Sequence, residues 1–134
     1  PELDQAIAWA HASLDALIMD QMGKGIYAGL PWFDDYWGRD SFISFPGALL
    51  TTGQYETAKE VLHSFLRYMD RDTASATYGR IPNRVQPDDV IYNTVDGTPW
   101  LVIQAVDQVV HQVVKVFRGR TEFCKKLNYI EGRV

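Results

Sequence analysis

The segment from Thr98 to Val116 constrains this chain more than any other. Trp100, Leu101, Val102, Ile103, Ala105, Val106, Val109, Val110, Val113, Val114 and Val116 cover most of the circumference of a helix. So many valines also suit a strand, but about eighteen residues exceeds an ordinary strand length. The pattern predicts a buried helix with little solvent face, which needs neighbours on nearly every side. Thr98 has a hydroxyl suited to an N-cap, and Pro99 suits the first helical position.

The rest of the chain supplies candidate neighbours. Leu3, Ile7, Ala10, Leu14 and Leu17 recur every three or four residues, an amphipathic helix that Gly23 is placed to cap at its C-terminal end. Phe42, Ile43, Phe45, Leu49 and Leu50 predict a second helix, with Asp40 or Ser41 as N-cap and Pro46 in a first turn or at a bend. Ala58, Val61, Leu62, Phe65 and Met69 predict a third, joined to the second by a turn at Gly53 and Gln54. Between them lie two rich segments read as loops, residues 24–40 and 70–95. The second holds enough apolar residues, among them Ile81, Val85, Val90 and Ile91, to predict short strand-like pieces. The tail, residues 118–134, is basic and has room for one more short helix from Thr121.

Composition narrows the function classes. The 134 residues are 46% apolar and 22% charged, the balance of an ordinary globular domain. Thirteen basic against seventeen acidic side chains leave a net charge of −4, without the basic face that nucleic acid requires. No apolar run approaches the roughly 18 residues of a membrane span. The lone Cys124 has no internal disulfide partner and reads as an inert thiol in a reducing, cytoplasmic setting. The chain opens at Pro1 rather than Met and is expected to be a piece of something longer.

Both rich segments feed the start of a helix, and both carry chemistry. The first contains Trp37, Gly38, Arg39 and Asp40; the second contains Tyr92, Asn93, Thr94, Val95 and Asp96, followed by Trp100. If alternate helices run in the same sense, these residues surround one mouth. Indole and phenol rings pack on the C–H face of a pyranose, while an arginine fork and a carboxylate grip neighbouring hydroxyls. An aspartate beside apolar rings can hold a proton at neutral pH, the state a glycosidic leaving oxygen requires from its general acid. Two readings therefore stand for Asp96, a helix N-cap and an acid. Arg39 and Asp40 have a bland alternative as a surface ion pair.

Three blocks in order, Trp37-Gly38-Arg39-Asp40, Gly79-Arg80-Ile81-Pro82-Asn83-Arg84 and Tyr92-Asn93-Thr94-Val95-Asp96, carry a resemblance. Over about residues 25–105 the chain resembles the C-terminal amylo-α-1,6-glucosidase domain of glycogen debranching enzymes, a glucoamylase-like glycosidase. The resemblance implies an all-α fold, about four to five helices of an (α/α)6 barrel, so that residues 1–134 form a single partial domain. It implies inverting hydrolysis of α-1,6-linked glucose on glycogen or a branched α-glucan, without a cofactor or metal. It assigns Asp96 as general acid and Arg39 and Asp40 to the terminal glucose, with Trp37, Asn83, Tyr92 and Trp100 lining the pocket. Inversion also needs a second carboxylate across about 6.5–9.5 Å. The resemblance puts that base beyond this chain, and neither Glu122 nor Glu131 matches it.

Two other functions compete with this one. The first is non-enzymatic, a helical module binding glucan or a partner protein, since half an acid–base pair cannot run the reaction. Within enzymes, a glucoamylase- or trehalase-type glycosidase shares the Arg-Asp grip. The pairs Asp34-Asp35 and Asp88-Asp89 read as solvated turns rather than a cation site. His11, His63 and His111 read as separate helix-face residues. The apolar helix faces are expected to drive self-association.

Overall fold

A computed structural model of the protein describes the backbone of residues 1–131 and the side chains of 1–116, 118 and 119. The elements in chain order are α1 (Glu2–Asp15), β1 (Ile18–Asp20), β2 (Lys24–Gly29), β3 (Phe33–Trp37), α2 (Gly38–Phe45), a π-helical turn (Pro46–Leu50), α3 (Tyr55–Arg67), β4 (Arg84–Gln86), β5 (Asp89–Ile91) and α4 (Gly97–Glu131). Cys124, Glu122 and Glu131 lie outside the residues whose side chains are described. No separate helix starts at Thr121, because α4 runs through it.

The expectation of an all-α piece of an (α/α)6 barrel is wrong. Five strands form one antiparallel sheet in the order β1-β2-β3-β4-β5. Residues 24–40, read as a loop, hold two of them. Tyr27 pairs with Tyr36 and Gly29 with Phe33, with a register shift between the two pairs. Aromatic residues favour such a half-buried pleated surface, and Tyr27 and Tyr36 are both buried, their rings 5.6 Å apart. The strand-like pieces expected in 70–95 are present: Tyr36 pairs with Val85 across β3 and β4, and Val85 with Val90 across β4 and β5.

Gly23 does not cap α1, which ends at Asp15 with Ala16 following in helical geometry. Instead Gly23, at φ +85°, turns the chain between β1 and β2, a conformation that glycine adopts without strain. The buried Tyr36 hydroxyl secures that turn. It donates to the Gly23 carbonyl (2.8 Å) and accepts from the Gln21 N–H (3.0 Å).

The core sits between the sheet and the pair α2–α3. Phe42, Phe45, Leu49, Leu50, Val61, Phe65, Ile81 and Val85 are all almost fully enclosed. The Phe42 and Phe65 rings meet at 4.9 Å, tilted by 59°, the offset geometry that aromatic pairs favour. The pairing of α2 with α3 through the turn at Gly53 is as expected, while α2 starts three residues earlier than the Asp40 cap predicts. Trp37 is its N-cap, with extended backbone and no side-chain hydrogen bond. The Gly38 N–H is satisfied by the Asn83 carbonyl (2.6 Å). Pro46 carries no N–H for the helical ladder, and the backbone widens there into the π-helical turn.

Two helices depart from their predicted burial. The α1 helix has no buried residue, and Leu3 and Trp9 are about 72% and 68% exposed. In α4 Leu101, Gln104 and Gln108, on the side that packs against α2 and α3, are buried, but Val102, Ile103, Val106, Val109, Val110, Val113, Val114 and Val116 face outward. An apolar pattern says that a face favours cover; it does not supply the cover. No helix is long and apolar enough to cross a membrane among the described residues.

Candidate active site

The three blocks singled out in the sequence meet at the N-terminal ends of α2 and α4. Asn83 is the joint between them. Its carbonyl accepts from Gly38 N–H, its own N–H donates to the Ile91 carbonyl (2.7 Å), and its side-chain amide donates to Asn93 Oδ1 (2.9 Å). One residue from the middle block thus ties β3–α2 to the β5–α4 connection. Gly38 is needed for this approach, since a Cβ there would run into the Pro82 carbonyl oxygen. A second tie runs from Ile81 N–H to Thr98 Oγ1 (2.9 Å), so the Thr98 hydroxyl serves the Ile81 backbone instead of capping α4.

Asp96 occupies the N-cap position of α4, its carbonyl accepting from Trp100 N–H (3.0 Å). Its carboxylate does no capping. Oδ1 accepts from Arg39 Nε (3.1 Å) and from Arg39 Nη2 (3.0 Å), across 57 residues of sequence. The Asp96 side chain is 39% exposed and that of Arg39 47%, so the pair sits at an open rim and not in the core. Oδ2 takes no hydrogen bond among the described residues. Arg39 therefore pairs with Asp96, not with Asp40. Asp40 makes no side-chain hydrogen bond among the described residues and lines a separate hollow of about 330 Å³ with Leu14, Leu17, Tyr27 and Ile43.

The other predicted residues divide by surroundings. Trp37 is half-buried under the Arg84 guanidinium, which lies 5.6 Å from its ring centroid in a cation–π arrangement. The Trp37 Nε1 proton has no acceptor among the described residues. Tyr92 donates its hydroxyl to the Tyr68 carbonyl (2.6 Å), and burial, with the nearby Asp70 charge, pushes that phenol above its ordinary range. Trp100 is half-buried against the core. Asn83 is buried and its hydrogen bonds hold the three blocks together. Sequence reasoning gave no role to Arg84 or Asn93, although both stand inside the quoted blocks; Arg84 is the strand partner of Trp37, and a cross-strand pairing leaves no pattern in the sequence.

Asp34 and Asp35, read as a turn, lie in β3 instead, and Asp89 opens β5; Asp35 accepts from Gln86 (2.8 Å), and Asp89 pairs with Arg84 (3.4 Å). No group of three His, Cys, Asp or Glu side chains suited to a metal occurs among the described residues.

Comparison with known proteins decides the lineage. The family described as amylo-alpha-1,6-glucosidase matches residues 7–127. The chain belongs to the amylo-alpha-1,6-glucosidase family. A glycogen debranching enzyme of Saccharomyces cerevisiae is 38% identical over 91 residues, which is 64% of this chain and 5% of that protein. The chain thus spans about 5% of the length of that curated relative. No solved structure matches. The resemblance drawn from the three blocks is borne out, and the converging rim is the part of this amylo-alpha-1,6-glucosidase chain where those blocks meet.

Proposed function

We propose that this chain is part of a larger glycogen-debranching glucosidase and carries the general-acid side of its site. The reaction would be inverting hydrolysis that releases the single α-1,6-linked glucose of a branch point. One observation carries the reading: Asp96 stands at an exposed rim where three separated blocks converge, with one carboxylate oxygen held by Arg39 and the other without a hydrogen bond among the described residues. Trp37 and Trp100 offer ring faces for the glucose. The water-activating base lies on another part of the enzyme, so the 134 residues alone are inactive. The single cysteine supports a cytoplasmic setting.

The test is Asp96→Asn in the intact enzyme. Glucose release from a branched oligosaccharide should fall by about 10²–10⁴-fold, the usual contribution of acid catalysis, with oligosaccharide binding retained. Full activity in that variant overturns the acid assignment. Titration of maltooligosaccharide against the 134-residue chain tests the rival function: binding without turnover favours a non-catalytic glucan-binding module, and no binding favours an isolated piece of the enzyme.

The isolated chain should also self-associate. Val102, Val106, Val109, Val113 and Val116 are exposed and spaced alternately four and three residues apart, the seam spacing of paired helices. A second copy is the occupant proposed for that seam.

A further inference from the structure

Arg39 is the second residue of α2, and its position is set before any ligand arrives. The chain is locked one residue earlier, where Gly38 meets the Pro82–Asn83 backbone. From there the guanidinium reaches Asp96 with two donors, Nε and Nη2, and both land on the same oxygen, Oδ1. The usual fork of arginine on carboxylate spreads its donors over both oxygens. Here the one-sided grip fixes an otherwise broad carboxyl torsion and leaves Oδ2 without a hydrogen bond among the described residues.

We infer that Arg39 is a positioning residue for Asp96, and not chiefly a grip for the sugar. This rests on the reading of Asp96 as the acid. On that reading Oδ2 delivers the proton to the glycosidic oxygen as the bond from that oxygen to C1 breaks, releasing the remaining glucan as an alcohol. A water oxygen bonds to C1 from the opposite face and gives its proton to a second carboxylate supplied elsewhere in the enzyme. Negative charge develops on Asp96 during this transfer, 3.0 Å from the Arg39 Nη2 that steadies it. The guanidinium thereby serves the proton-transfer step twice, by aiming Oδ2 and by holding the carboxylate left behind.

The experiment compares two substrates in the intact enzyme carrying Arg39→Leu: a branched oligosaccharide with an α-1,6-linked glucose, and α-glucosyl fluoride. Fluoride leaves without a proton from the enzyme, so the second substrate bypasses Asp96. With the branched substrate kcat should fall by about 10²-fold or more, while the fluoride loses less than about tenfold and KM for each changes little. Arg39→Lys, a point charge lacking the fork, should fall between. Equal losses on both substrates with a raised KM would make Arg39 a sugar grip and overturn the inference; so would an unchanged kcat on the branched substrate. If Arg39→Leu does not fold, as judged by circular dichroism, Arg39→Lys carries the same comparison. Asp96→Asn is run beside them. Full activity there refutes the acid reading itself, whereas loss there with a uniform Arg39 effect refutes only the positioning role.

Discussion

The inner half of the molecule and the outer face of α4 have similar apolar content and opposite fates. Between the sheet and α2–α3, Phe42, Phe45, Leu49, Val61 and Phe65 are enclosed from all sides. Along α4, past Leu101, the valines meet solvent. Helix formation needed only the periodicity, which both regions have. Burial needed partners at the right spacing, and the inner region draws them from β2, β3 and the π-helical turn. The difference teaches that a hydrophobic pattern fixes which face seeks cover and leaves open what provides it.

Phe42→Ala should be the most damaging change in the enclosed region. The side chain is fully buried and its ring packs on Phe65, so the loss of area and the cavity together cost about 3–5 kcal/mol. Chemical denaturation read by circular dichroism measures it. A loss below about 1 kcal/mol would mean that the inner core is as loosely covered as α4, and the contrast would fail.

Gly38→Ala comes next. The added Cβ meets the Pro82 carbonyl, and that backbone cannot retreat without lengthening the Gly38–Asn83 hydrogen bond. Overpacking of this kind costs about 1–3 kcal/mol. It should also displace Arg39 from Asp96, so glucose release in the intact enzyme should fall more than thermal stability alone explains. A fall in activity that simply follows the unfolded fraction would separate the joint from the rim.

Legibility from sequence follows the same division. The helices were readable because each repeats its apolar spacing over eight residues or more, and three of their four positions stand with small shifts. The strands were hidden: β1, β4 and β5 are three residues each, too short to establish alternation, and Gly29 at the end of β2 with Pro31 just after it read as loop signals. The rim residues were readable as blocks, yet the Arg39–Asp96 pairing was not. Nothing in a sequence joins residues 57 apart when the linkage runs through the backbone of Asn83. The seal on α4 was misread because exposure depends on neighbours that periodicity cannot name.

Breaking the rim pair should move stability little. A double-mutant cycle of Arg39→Leu and Asp96→Asn should return a coupling of about 0.2–1 kcal/mol, since both groups are more than a third exposed and solvent screens them. The catalytic effect of the same changes is expected to be far larger. A coupling above about 2 kcal/mol would instead mark the pair as a folding element, and the rim would belong with the enclosed region.

The smallest effect, and the sharpest test of the contrast, comes from Val109→Thr. Threonine keeps the branched shape and a similar helix propensity, so the substitution isolates hydrophobicity from helix formation. Val109 is about 56% exposed, and in dilute solution the change should alter stability by no more than about 0.5 kcal/mol. The outcome should depend on concentration, however. If a second copy covers the seam, the unsubstituted chain gains stability as it is concentrated, because association favours the folded state that presents the seam. The triple change of Val106, Val109 and Val113 to Thr should remove that gain and leave the dilute value almost untouched. Sedimentation velocity over a range of concentrations reads the same difference as size. Identical, monomeric sedimentation for both chains would show that the valines tolerate water without a partner, and α4 would need no cover at all.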